Sequence, residues 1–251
     1  MNPEDILKEE KEVDEIKKKL DQLKTKLDSF KTKVLDKFKE YILGIALLPP
    51  EAERPLPQGL QEEELKEELK IREERKNEIS VLVLVDDADS TKMSKLELHD
   101  KLTKIIDKTA QEIDKNLRPE VMLLTELKES CFDAKYEIIN LISFAAPVYD
   151  PKDFLGAIKV AEVHKSMVLK KFEKYVVSYV AVGSLFRGDA RSNDIDVAVV
   201  IDDTDVKKMS RFELKDKLGG IIRTYGYEAS TITGVKKSFH IQVYILTDFW
   251  E

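Results

Sequence analysis

The stretch DDADSTKMSKLELHDKLTKII, residues 86–106, aligns without gaps to DDTDVKKMSRFELKDKLGGII, residues 202–222. Thirteen of the 21 positions are identical, where unrelated segments of ordinary composition would share about one or two. Self-similarity of this kind marks an internal repeat, which has to be found before any element is assigned. The match continues upstream, where KTKVLDKFKEYILGIALLPP (31–50) lines up with KSMVLKKFEKYVVSYVAVGS (165–184). Downstream, LLTEL (123–127) answers ILTDF (245–249). Each unit therefore reads helix, strand, variable loop, strand, helix, strand. The helices are expected from the 3.6-residue spacing of residues such as Val168, Leu169, Phe172 and Val176, and the strands from the apolar runs VLVLV (81–85) and VAVVI (197–201). Ser94 and Ser210, each three residues before a Glu, read as capping boxes that start the later helix of each unit. The fold class expected is α/β, with mixed sheets in two tandem units.

Ahead of the repeat, Ile6, Val13, Ile16, Leu20, Leu23, Leu27, Phe30 and Val34 form an apolar stripe with charge between them. This is the pattern of a coiled coil. It fits equally a long helix laid on the body of its own chain and a homodimer formed through that helix. PPEAERPLPQG (49–59) interrupts regular structure, and QEEELKEELKIREERK (61–76) follows as a short charged helix. The organisation expected is an N-terminal coiled-coil-like helix over 1–34, a first domain over 35–133, linking helices over 134–164 and a second domain over 165–251.

Composition limits the function classes. Among 251 residues, the one cysteine, Cys131, rules out an internal disulfide framework. The three histidines (His99, His164, His240) are scattered, without zinc-ligand spacing. No apolar run approaches the roughly 20 residues that cross a bilayer, and the N-terminus is acidic where a signal peptide is basic and then apolar. No membrane partner is expected, and a reducing, cytoplasmic setting is. A formal net charge of -7 argues against broad electrostatic binding of a nucleic-acid backbone.

The chemistry concentrates in GSLFRGDARSNDID, residues 183–196. A strand ends in Gly183-Ser184, nine residues follow, and the next strand opens Asp194-Ile195-Asp196. The period of two in a strand places both aspartates on one face, with Ile195 turned to the core. Adjacent ionised carboxylates repel unless a cation neutralises them, so the pair suits Mg²⁺ or Mn²⁺. Gly183 keeps no side chain between backbone and phosphate, and the Ser184 hydroxyl can donate to phosphate oxygens. Arg187 and Arg191 lie in the loop, where a guanidinium can grip phosphate bidentately.

Gly-Ser, nine residues, then Asp-hydrophobic-Asp-hydrophobic resembles the nucleotidyltransferase superfamily related to DNA polymerase β. The pattern is most similar to its minimal branch, whose signature often carries an Arg and a Gly where Arg187 and Gly188 stand. The resemblance implies two tandem nucleotidyltransferase-fold units. It further implies transfer of a nucleoside monophosphate, with ATP the default donor, to a hydroxyl of a protein, RNA or small molecule, releasing pyrophosphate. Gly183, Ser184 and Arg187 would bind the nucleoside triphosphate, and Asp194 and Asp196 would hold the metal and carry catalysis. The family places a third carboxylate on a later strand. Here that strand reads FHIQVYILTDFWE (239–251), where alternate positions are His240, Gln242 and Tyr244. His240 is the candidate for that role, with Asp248 and Glu251 in reserve.

The first copy departs from the motif: Pro49-Pro50 falls on Gly183-Ser184, and Glu78-Ile79-Ser80 falls on Asp194-Ile195-Asp196. Proline offers no amide hydrogen, and the second acid has become serine. Copy one is therefore expected to be degenerate, with its loop longer by eighteen residues. Copy two stops where the segment linking the copies would begin, so a C-terminal truncation is expected. The rival expectation is a non-catalytic nucleotide-binding or assembly module with a decayed transferase site.

Overall fold

The computed structural model describes residues 3–51, 54, 56, 61–90, 93–133, 135–184, 194–206 and 208–250, and the side chains of these except 3–12, 249 and 250. Among the described residues the chain is a mixed α/β protein with eight helices, and it divides into two units, Met1–Thr125 and Glu126–Glu251.

In the first unit, α1 (Pro3–Phe38) turns at Tyr41 into β1 (Ile42–Leu47), followed by α2 (Glu62–Glu74), β2 (Ile79–Val85), α3 (Lys95–Gln111) and β3 (Leu117–Leu123). α4 (Leu124–Phe132) carries the chain into the second unit. There α5 (Tyr136–Phe144) and β4 (Ala146–Tyr149) lead to α6 (Phe154–Phe172). β5 (Val176–Val182), β6 (Asp194–Ile201), α7 (Arg211–Thr233), β7 (Ser238–Ile245) and the short α8 (Leu246–Trp250) complete it.

The repeat holds at the level of single hydrogen bonds. β1 pairs antiparallel with β2, and β2 parallel with β3; β5, β6 and β7 repeat this order and these directions. The registers match residue for residue. Ile42 faces Val85 as Val176 faces Ile201, and each antiparallel pair carries its irregularity at the same step, Ile42/Gly44 and Val176/Ser178. The shared Asp-Asp explains its own presence in both copies. The amide of Asp86 donates to Tyr41 O, and that of Asp202 to Tyr175 O, both at 2.7 Å. The carboxylates of Asp87 and Asp203 accept from the amides of Thr125 and Thr247 at 3.0 and 3.3 Å, tying the end of the middle strand to the end of its parallel neighbour. The Thr247 hydroxyl also donates to Asp203 and holds its carboxyl below the usual range. Ser94 and Ser210 cap their helices by accepting from Glu97 N and Glu213 N, each at 3.2 Å.

In each unit two helices cover one face of the three-strand array, α1 and α3 in the first and α6 and α7 in the second. Val34 and Ile106 are buried in the first unit as their counterparts Val168 and Ile222 are in the second. α7 approaches β7 closely at Gly226, where a Cβ would overlap the Ile241 side chain. α1 divides the two expectations for the N-terminal helix between its halves: Leu27, Phe30 and Val34 are buried, while Val13, Ile16 and Leu20 are exposed.

One buried pair differs between the copies. Where copy one packs Phe30 near Ile45, copy two has His164 and Tyr179 at the matching positions. His164, fully buried, donates from Nε2 to Ile222 O at 2.9 Å, and its Nδ1 lies 2.8 Å from the Tyr179 hydroxyl. The same hydroxyl lies 2.9 Å from Ala161 O, so its one proton is shared between that carbonyl and Nδ1. The network ties α6, β5 and α7 together. Burial pushes the His164 pKa down, with the Ile222 carbonyl opposing, and pushes the Tyr179 phenol well up. A histidine depressed in the folded state stabilises the fold fully above its unfolded pKa of about 6.5 and loses that contribution as pH falls. The thermal midpoint is therefore expected to drop between pH 7.5 and 5.5. Installing the copy-one pair, His164→Phe with Tyr179→Ile, should flatten that drop, because it removes both polar partners together instead of orphaning one at about 1–3 kcal/mol. An unchanged pH slope in the double variant would place the dependence elsewhere.

Candidate functional site

The end of the second sheet gathers the motif residues. Val182 pairs with Asp196 across the antiparallel edge, so Gly183-Ser184 begins its loop beside the two aspartates. Asp194 and Asp196 share the sheet face opposite the helices, while Ile195, Val197 and Val199 between and beyond them are fully buried against α6 and α7. Both carboxylates are half-buried. Gly183 adopts φ +94°, in the left-handed region that glycine tolerates, and a Cβ there would overlap the Asp196 carboxylate. The glycine of the motif thus makes room for the second acid. Ser184 follows, half-buried in the turn. Arg187 and Arg191 lie outside the described residues.

The parallel register brings in a third strand. Asp196 faces His240 and Asp194 faces Ser238 across β6 and β7. His240 Nδ1 stands 3.6 Å from Asp196 Oδ1, with the imidazole 58% exposed. Gln242 is opposite Ala198, one pair further from the sheet end, and its Oε1 accepts from the Tyr244 hydroxyl. Asp248 belongs to the other end: β6 finishes at Ile201 opposite Ile245, and Asp248 lies three residues beyond, 3.5 Å from Arg211 Nη1. Asp248 therefore does not join the aspartate pair, and Glu251 lies outside the described residues. Ser238 escaped sequence reasoning because no motif marks it; only the strand register puts it opposite Asp194.

The donor set at this end is two carboxylate groups with one neighbouring imidazole. Among the described residues no group of three His, Cys, Asp or Glu side chains is placed to hold a metal on protein ligands alone. Two carboxylates and open surface suit Mg²⁺, which commonly keeps several waters and takes its remaining ligands from substrate phosphates. The face around the pair is open: Val180 and Val182 are 44% and 38% exposed, and His240 and Gln242 are exposed.

The matching end of the first unit is closed. Glu78, at the position of Asp194, takes the Arg118 guanidinium at 3.0 Å, and Arg118 itself occupies the position of His240. Ser80, at the position of Asp196, is buried, as are Ala46, Leu48 and Leu82, which match the more open Val180, Val182 and Ala198 of copy two. Arg54 bonds Glu120 at 2.8 Å and Pro49 O at 3.1 Å. The carboxylates and guanidinium groups here neutralise one another, and among the described residues no adjacent acid pair is left to hold a cation.

Compared with protein-family models, curated proteins and solved structures, the chain matches none. Among the described residues, no helix is long and apolar enough to cross a membrane.

Proposed function

We propose that copy two is a metal-dependent nucleotidyltransferase site that binds a nucleoside triphosphate, ATP by default, and transfers its nucleoside monophosphate to a hydroxyl acceptor. The observation that carries the reading is the aspartate pair on the open sheet face, with Asp196 nested against a left-handed Gly183 at the start of the Gly-Ser loop. Asp194 and Asp196 would hold Mg²⁺ or Mn²⁺, which supplies charge stabilisation for phosphoryl chemistry when bound. Gly183 leaves the backbone open to phosphate oxygens, Ser184 donates to them, and Arg187 would add a guanidinium grip. His240, against Asp196, holds the β7 position from which a third carboxylate would join the pair. Copy one, closed by its own ion pairs, serves as scaffold. The two units are then tandem members of the polymerase β-like superfamily, the first decayed. A hydroxyl of a protein, RNA or small molecule remains the class of acceptor.

The rival, a sensor that binds nucleotide without turnover, draws support from the absence, among the described residues, of a third carboxylate beside the pair. A thermal-shift screen of the four nucleoside triphosphates, with and without Mg²⁺, tests the shared part. Ligand at about 100 times its Kd should stabilise the binding unit by about 2.7 kcal/mol, a midpoint rise of roughly 10 °C that requires the metal. No metal-dependent shift with any triphosphate would remove both readings. Pyrophosphate release then separates enzyme from sensor.

A further inference from the structure

The apolar stripe of α1 runs on into a stretch that the chain does not cover. Leu27, Phe30 and Val34 are buried, whereas Val13, Ile16 and Leu20 on the same heptad stripe are 61%, 57% and 59% exposed. Copy two supplies the contrast. Phe154 and Ala157 of α6, at the positions matching Leu20 and Leu23, are buried in a helix against which α5 packs.

The geometry points to a second copy of this chain as the occupant, the two α1 helices pairing antiparallel over residues 3–26. Charge sets the direction. Residues 4–15 carry seven acidic and two basic side chains, and residues 17–26 carry five lysines and one aspartate. A parallel, in-register pair would lay acid beside acid and lysine beside lysine; an antiparallel pair lays each block along its opposite. With the twofold centred between positions 14 and 15, Val13 of one copy meets Ile16 of the other, and Leu20 and Leu23 run along positions 9 and 6. Lys17 and Lys19, which flank the stripe, then face positions 10 and 12, both glutamate in the sequence. In this register residues 3–26 of the two copies overlap, ahead of Leu27, where the stripe turns into the core of its own unit. The overlap is about 36 Å at 1.5 Å per residue. The role is assembly, independent of the nucleotide chemistry assigned to copy two.

Sedimentation of the full chain at micromolar concentration should give twice the 28.9 kDa chain mass. Ile16→Asp with Leu20→Asp should give the single-chain mass with an unchanged circular dichroism spectrum, since both positions are exposed. Lys17→Glu with Lys19→Glu should weaken the dimer at least tenfold, and salt should weaken the wild-type dimer by screening the blocks. Direction is read by oxidation in a Cys131→Ser background. Mixing Val13→Cys and Ile16→Cys chains should yield a disulfide-linked heterodimer, while Leu20→Cys alone should yield little homodimer. A chain that is monomeric at these concentrations, a dimer that survives the double aspartate variant, or efficient Leu20→Cys homodimer formation would each overturn the assignment.

Discussion

Asp196→Ala is expected to abolish magnesium-dependent binding of nucleoside triphosphate, with a loss greater than the roughly 10–100-fold typical of outer-shell changes around a metal. Among the described residues the carboxylate it removes is one of two at the open end of β6, so the remaining acid would have to hold a divalent cation against water. Folding does not confound the result. The backbone of residue 196 keeps its pairing with Val182 and His240, and the side chain faces away from the buried Ile195 and Val197. Asp196→Asn preserves size against Gly183 while removing the charge, and should lose binding to a similar extent. Asp194→Ala should behave alike, since in the proposed site both acids would be direct ligands of the metal. Glu78→Ala is the matched control: it falls at the same position in copy one, where Arg118 already consumes the charge, and it should leave triphosphate binding unchanged. Titration calorimetry with MgATP, alongside the same titration after chelation, reads all four. Wild-type affinity in Asp196→Ala would sink the metal site, and an equal loss from Glu78→Ala would bring copy one into the binding machinery.

The contrast between the copies shows what in this fold a sequence can reveal. Residues identical in both copies hold the unit together: Asp86 and Asp202 close the strand turn, Asp87 and Asp203 tie neighbouring strand ends, and Ser94 and Ser210 cap helices. Each acts within a few residues or through a paired strand, so its signal is local and repeats. The positions that differ, Gly183-Ser184 against Pro49-Pro50 and Asp194/Asp196 against Glu78/Ser80, are those at the open and closed sheet ends. The aspartate pair was legible because its spacing matches the period of a strand. The placing of His240, Gln242 and Asp248 was not, since a parallel register between strands more than 40 residues apart leaves no spacing rule in the sequence. The His164–Tyr179 network was equally hidden: a lone histidine on a helix carries no mark of the tyrosine that meets it across the core.

That register also decides which substitution restores a third acid. His240 faces Asp196 on the open face with its Nδ1 3.6 Å away, whereas Gln242 faces Ala198 and Asp248 sits beyond the far end of the strand. His240→Asp is therefore expected to raise pyrophosphate release with Mg²⁺ and ATP, by up to the 10²–10⁴-fold that general-base assistance is typically worth, while Gln242→Asp changes little. The variant carries a second signature. Three carboxylates crowded at one end of the sheet repel in the absence of a cation, so His240→Asp should melt lower than wild type under chelation and regain more on adding Mg²⁺. The two readouts separate the outcomes. A larger Mg²⁺ stabilisation without turnover would mean that position 240 joins the metal site of a sensor. Brisk wild-type turnover that His240→Asp lowers and His240→Ala abolishes would mean that the imidazole itself takes the acceptor proton. A gain confined to Gln242→Asp would contradict the register argument, because residue 242 could then reach the aspartate pair only if β7 slid by two residues against β6.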